Sequence, residues 1–277
     1  MPNVNCLKFP RGLAACATLA LALPAAAQLE SPEPAPRPMW EGAIGALAGN
    51  GPEYMGSDRN RSRLQPGLFV RYGRVSLATR SGFATRREGD FSGGVAVDVG
   101  GSRTVRGGLA LRWDSGRGES ASPLLAGMGD VRSTLRARLS VRWNIDRHWR
   151  AGAAWNADVL GRGGGALGEV SLRYDQPLSP RTQGSIGLAL THGNARYMQT
   201  NFGITPEQAA RSSYAVYRPG AGLRDLGLSA GLRHDFSEDW FAFGGLRFGR
   251  LVGPAADSPL VREASSRSWS AGLARRF

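Results

Sequence analysis

Three histidines, His148, His192 and His234, are the only imidazoles the chain could use as general bases. A barrel-type lipid hydrolase would pair one of them with a lipid-side serine, the acceptor nitrogen taking the hydroxyl proton. None stands in a His-x-Ser arrangement, and His148 and His234 sit beside tight turns. His192 ends an apolar segment, but its strand neighbours face the opposite side, so it reads as an interfacial residue. The run "GGG" at 163–165 is a turn, since no lysine and no helix follows it as a phosphate loop requires. Asp58 and Asp257 are isolated carboxylates, too few oxygens for a hard cation. The chain is therefore expected not to be an enzyme, with no catalytic, metal or cofactor-binding residues.

The remaining chemistry is guanidinium. Residues 130–143, "DVRSTLRARLSVRW", place Arg132, Arg136, Arg138 and Arg142 on even positions and Val131, Leu135, Leu139, Val141 and Trp143 on odd ones. A strand sends these two sets to opposite faces, whereas a helix would scatter the odd set around its axis. Arginine facing lipid at mid-bilayer costs about 2–4 kcal/mol. The four arginines are accordingly expected to face a polar lumen while the odd row meets lipid.

The same alternation recurs along the chain. Segments at roughly 38–48, 63–72, 75–85, 91–100, 105–114, 130–143, 148–160, 166–175, 182–193, 223–236, 240–250 and 266–277 read as strands. Tight connections such as "GR" at 73, "NIDR" at 144, "QPLSPR" at 176 and "SED" at 237 alternate with long ones at 49–62, 115–129, 194–222 and 251–265. An even number of strands with short turns on one side and long loops on the other predicts an all-β fold, an antiparallel transmembrane β-barrel of about twelve strands. Trp40, Tyr72, Trp113, Trp143, Trp149, Tyr174, Trp240 and Trp269 lie near segment ends on the apolar parity, where amphipathic rings suit the headgroup level. Inward acids (Asp98, Asp114, Asp158, Glu169, Asp175 and Asp235) are fewer than inward arginines, so the lumen is expected to be positive on balance.

Residues 1–27 carry Lys8 and Arg11, an apolar run and small residues at Ala25 and Ala27, the order of a cleaved signal peptide. Residues 28–38, "QLESPEPAPRP", form a Pro-rich periplasmic leader, and 39–277 the barrel. Both cysteines, Cys6 and Cys16, fall in the first segment, which excludes a disulfide framework from the rest. The formal charge of +13 comes from arginine spread by parity along many segments, which argues against a nucleic-acid partner. Within the loop at 194–222, "TPEQAARS" reads as a short capped helix with Thr205 as N-cap, Pro206 as first helical residue and Gln208 as reciprocal partner.

Several blocks carry a family resemblance: "GNGPEYMGSDRNRSRLQPGLFVRYGRVSL", "LAGMGDVRSTLRA", "RYMQTNFGITPEQAARSSYAVYRPGAGLRDLGLSAGLRHDFSEDWFAFGGLRFGRLVGPAADSPLV" and the terminal "GLARRF". These resemble the MipA/OmpV family of outer-membrane proteins over nearly the whole mature chain. The resemblance implies location in the cell outer membrane, with outer-membrane lipid as its surroundings. It also implies a scaffolding role in peptidoglycan synthesis, joining a lytic transglycosylase to a bifunctional murein synthase. A small-solute pore and a surface adhesin are the alternatives, and a lipid hydrolase a remote one. Trp269, Leu273 and Phe277 form the barrel assembly signal, with Arg275 where such signals usually place an aromatic or apolar residue. Partners that work on the wall would meet the leader and the tight turns, so Arg147, Arg181 and Asp239 are candidate partner contacts.

Overall fold

A computed structural model describes residues 39–79 and 94–277. Residues 1–38, where a signal peptide and leader are expected, and the stretch 80–93 that includes Phe83 and Phe91 lie outside the described residues. The strands are β1 (Trp40–Pro52), β2 (Asn60–Tyr72), β3 (Val75–Ala78), β4 (Gly94–Gly101), β5 (Val105–Asp114) and β6 (Thr134–Asn144). They continue as β7 (Trp149–Asp158), β8 (Ala166–Ser179), β9 (Thr182–Gly193), β10 (Gly222–Asp235), β11 (Trp240–Leu251) and β12 (Ser265–Arg276). Each pairs antiparallel with its chain neighbours, and β12 pairs back onto β1, closing a twelve-stranded barrel. Pairing of the last strand with the first removes the two terminal sheet edges, as a sheet that crosses a bilayer requires.

Alternation in the sequence is alternation in the wall. On β6 the odd residues Leu139, Val141 and Trp143 are 52%, 47% and 51% exposed on the outside, while Arg136 on the other face is buried. One reading needs correction. The sixth strand begins at Thr134, not at 130, because Val131 bridges Arg117 inside the β5–β6 loop and Arg117 and Val131 exchange both backbone hydrogen bonds. Arg132 therefore belongs to that loop, outside the strand row of Arg136, Arg138 and Arg142, and is solvent-exposed.

Glycine and serine meet across strands. Gly108 pairs with Ser140, Gly152 with Ser171, Gly187 with Ser229, Gly231 with Ser185 and Gly249 with Ser266. The Ser229 and Ser140 hydroxyls donate to the carbonyls of Gly187 and Gly108 at 3.3 and 3.2 Å. The missing glycine side chain lets each serine lie over its partner's backbone, a close approach that only glycine admits.

One end of the barrel carries short turns: 73–74, 102–104, 145–148, 180–181 and 236–239. Around it stand Trp40 against Tyr72, ring centroids 4.9 Å apart, and Trp149 against Tyr174, 5.0 Å apart. The other end carries the loops, which hold the short helices α1 (Ala195–Phe202), α2 (Pro206–Ala210) and α3 (Gly253–Ala256).

Candidate functional site

The inner wall over β5–β8 is an arginine–acid lattice. Arg136 Nε meets Asp114 at 2.6 Å, and Arg138 reaches Glu169 at 3.2 Å and Asn156 at 3.3 Å. Nearer the turn end, Arg150 and Arg173 share Asp175 at 2.5 and 3.0 Å, and Arg106 holds Asp98 at 2.6 Å. Arg142 sits on the same row as Arg136 and Arg138, in register with Arg106 on β5 and Gly152 on β7. Across from this lattice, β9–β12 set Gly and Ser in mid-strand, such as Gly187, Ser229, Gly231 and Ser185, while Phe241, Arg233 and Arg276 fill the lumen towards the turn end.

Arg136 also carries the lattice into the loops. Its Nη2 donates to the Gly164 carbonyl at 3.0 Å, and its guanidinium lies 5.5 Å from the Tyr197 ring centroid. Arg224 covers the same ring at 5.5 Å and donates to the Tyr197 hydroxyl at 2.8 Å. The "GGG" run is indeed a turn, with Gly163 and Gly165 at φ +88° and +59°. Those positive φ values, which L side chains rarely adopt, aim the Gly164 carbonyl at Arg136 and the Gly163 carbonyl at the Thr200 hydroxyl, 2.6 Å away.

Above the lumen, four loops fold into one cap. Tyr54, Leu125, Met128, Ile204 and Leu260 form one buried apolar cluster, and Tyr197, Met198, Phe202, Leu251 and Ala255 another. Burial of such side chains contributes roughly 1.5–3 kcal/mol each, enough to hold loops that would otherwise gain chain entropy by opening. Ser258 donates to the Phe202 carbonyl at 2.6 Å, and the Gln208 amide donates to the Met128 carbonyl at 2.5 Å. The capping box expected at Thr205 and Gln208 is present, with Pro206 in the first turn. Helix α1, capped by Asn194 through the Tyr197 N–H at 2.9 Å, was not expected. Its local signal was the asparagine just before "ARYMQTNF", four of whose residues are polar or charged and hide the apolar stripe.

Burial raises the Tyr54 phenol to about 12, helped by nearby Tyr214 and Asp58. Its hydroxyl donates to the Leu260 carbonyl at 3.1 Å. Arg117, whose Nη1 donates to the Asn201 carbonyl at 2.9 Å, is pulled below the usual guanidinium range by the same burial, against an opposing pull from Tyr54 and Tyr197. Tyr197, Arg224 and Arg117 escaped the sequence reading, because each gains its role from residues far away in the chain.

The turn end is plainer. Arg147 lies exposed in the β6–β7 turn, Arg181 in the β8–β9 turn and Asp239 in the β10–β11 turn. Arg181 Nη1 touches the Phe236 carbonyl at 3.4 Å, which brings two of these turns together. In the β6–β7 turn, backbone N–H groups of Trp149 and His148 hold the Asp146 carboxyl below its ordinary range. Trp269 and Leu273 stand on the outer face of β12. Phe277 exchanges backbone hydrogen bonds with Gly42 at 3.0 and 3.1 Å. A side chain at Gly42 would collide with the Phe277 ring, so the glycine admits the closing contact between chain end and β1.

The histidines are dispersed. His148 Nδ1 lies 2.8 Å from the Asp175 carbonyl, His192 faces outward, and His234 Nδ1 lies 2.9 Å from the Thr182 hydroxyl, edge-on to Phe236. No carboxylate orients His234 among the described residues. Nor do the described residues hold a group of three or more potential metal ligands.

These contacts define a transmembrane β-barrel with a basic inner wall, covered by a folded cap at its loop end. A family model described as MltA-interacting protein MipA matches residues 44–277, and the chain belongs to that family. Among solved structures, the NanC porin is 8% identical, covering 83% of this chain and 98% of that one at a TM-score of 0.42. The anion-selective porin from Comamonas acidovorans is 10% identical, covering 86% and 98% at 0.40. Outer-membrane expressed OmpT of Vibrio cholerae is 7% identical, covering 86% and 97% at 0.36. Likeness at that level carries nothing about function. No curated protein matches the chain in sequence.

Proposed function

We propose that this protein is a non-enzymatic docking barrel of the outer membrane, which holds a murein-cleaving lytic transglycosylase, and through it a murein synthase, at the periplasmic face. The observation that carries the reading is the cap: four loops spend their apolar residues on one another over the lumen, an arrangement suited to a scaffold more than to a conduit. The family description, an MltA-interacting protein, supplies the kind of partner. In this placement the turn end faces the periplasm, and Arg147, Arg181 and Asp239 are its exposed charged contacts. Each turn is small against the roughly 800 Å² per partner that a stable interface buries, so several turns and the leader act together. The arginine lattice favours a second reading, an anion-conducting pore.

Crosslinking in intact envelopes followed by capture tests both. Recovery of a lytic transglycosylase and a murein synthase, with no conductance in planar bilayers, is the expected result. Absence of both enzymes together with steady single-channel conductance would replace the scaffold by the pore.

A further inference from the structure

The outer wall over β6–β10 contains a notch of about 490 Å³. One transverse row of register partners crosses it: Leu139, Trp155, Gly168, His192 and Leu223. Gly168 is its floor, between the exposed Trp155 and His192. A Cβ at Gly168 would meet nothing within 4 Å, and its φ lies outside the left-handed region. Neither backbone geometry nor packing within the chain requires glycine there, and a strand loses stability by having it. The next row, Val141, Ala153, Val170 and Leu190, continues the notch with a second small residue between larger ones.

The notch changes character along its length. Towards β6 its outward side chains are the apolar Leu139 and Val141, while at β8–β10 it reaches the loop end, where His192 is its outward polar side chain. The loops that leave these same strands carry two exposed arginines, Arg162 between β7 and β8 and Arg196 just past β9 at the start of α1. Arg162 Nη1 donates to the Ser133 carbonyl at 2.9 Å, and Thr200 of α1 is bonded to Gly163 in the same loop. Neither arginine forms a salt bridge among the described residues. An apolar slot on strands whose loops carry cations with no carboxylate partner among the described residues is complementary to an acyl chain ending at a phosphate.

We infer that this notch is a binding site for a phosphorylated, acylated glycolipid of the outer leaflet, of lipid A chemistry, with one acyl chain lying over Gly168 and Ala153 and its phosphate held by Arg162, Arg196 and His192. The inference rests on the outer-membrane placement above but not on the docking role. Phosphate anchoring distinguishes this site from the general solvation of the barrel by lipid, because it predicts dependence on charge as well as on shape.

The test is native mass spectrometry of the full barrel in mild detergent, titrated with bis-phosphorylated lipid A, with the same lipid dephosphorylated and with phosphatidylethanolamine. Folding is checked first by heat-modifiable migration on gels, and outer-membrane placement separately by fractionation. Wild type should retain one bis-phosphorylated lipid in preference to the other two. Gly168→Leu, which fills the slot, should lower retention by about tenfold or more, comparable to withholding about two buried methylenes. Arg162→Ala with Arg196→Ala should lower it by a similar factor and abolish the preference for phosphate. Ala46→Leu, on the outer face of β1, should leave it unchanged. If Gly168→Leu fails to fold, Ala153→Leu fills the same slot. Undiminished retention in the slot-filling variant, or equal retention of all three lipids by wild type, overturns the inference. A wild-type dimer lost on filling the slot would assign the notch to a second copy of the chain instead.

Discussion

At the loop end, Tyr54 and Leu260, far apart in the chain, share one dry core with Leu125 and Ile204. At the turn end the apolar cluster among the described residues comes from strand side chains, Phe69, Phe241, Ala43, Ala78 and Ala274, and the turns add nothing to it. The first end resembles a small soluble domain mounted on the barrel; the second is the barrel simply stopping, with Arg233 and Arg276 stacked on Phe241 at 3.9 and 4.6 Å. The contrast teaches where surface is left for partners. Loops that satisfy one another cover the lumen and are costly to rearrange, whereas turns that join no buried apolar cluster keep Arg147 and Asp239 exposed.

Paired variants at the two ends break or sharpen this contrast. The largest effect is expected from Ile204→Ala, which empties a fully buried site and should weaken the cap by about 2–5 kcal/mol. Ile145→Ala in the β6–β7 turn, where the side chain is 46% exposed, should stay within about 0.5 kcal/mol. Hydrogen exchange of cap and turn amides in the folded barrel measures both, and equal losses would erase the distinction. Arg136→Ala should follow, costing about 1–3 kcal/mol through the lost hydrogen bonds to Asp114 and Gly164. Because Arg136 also covers Tyr197, its loss should speed proteolysis within 194–221, while Arg150→Ala near the turn end should leave that loop protected.

A pH window separates the ends next. With its folded pKa raised from 10 to about 12, Tyr54 holds its proton more tightly in the cap than in an unfolded chain. Its contribution is fully present below the unfolded value and is lost as pH climbs from about 10 towards 12. Cap amides should lose protection over that range while β6–β7 turn amides do not, and Tyr54→Phe should flatten the cap's response. The smallest change in stability is expected from Arg147→Ala, Arg181→Ala and Asp239→Ala combined, on the order of 0.5 kcal/mol or less per exposed site. That variant should nevertheless lose capture of the murein enzymes. Retained capture, with loss on deleting 203–213, would move the docking surface to the cap.

What could be read without the fold was whatever lipid or local backbone chemistry imposes residue by residue. Each strand must by itself turn hydrocarbon outward, so Leu139 against Arg138, or Val97 against Asp98, declared its face in any one segment, and repetition declared the barrel. The capping box at Thr205 and Gln208 was legible because its donors and acceptors lie within one turn. Tertiary structure alone decided what register and loop meeting decide. It withdrew Arg132 into a loop, because a bridge to Arg117 could form there. It set Tyr197 between Arg136 and Arg224, and laid five glycines, Gly108, Gly152, Gly187, Gly231 and Gly249, beneath particular serines. It also left Gly168 with open space beside His192 on the outer face, since pairing across strands depends on connection lengths and barrel closure, to which no alternation along a single segment is sensitive.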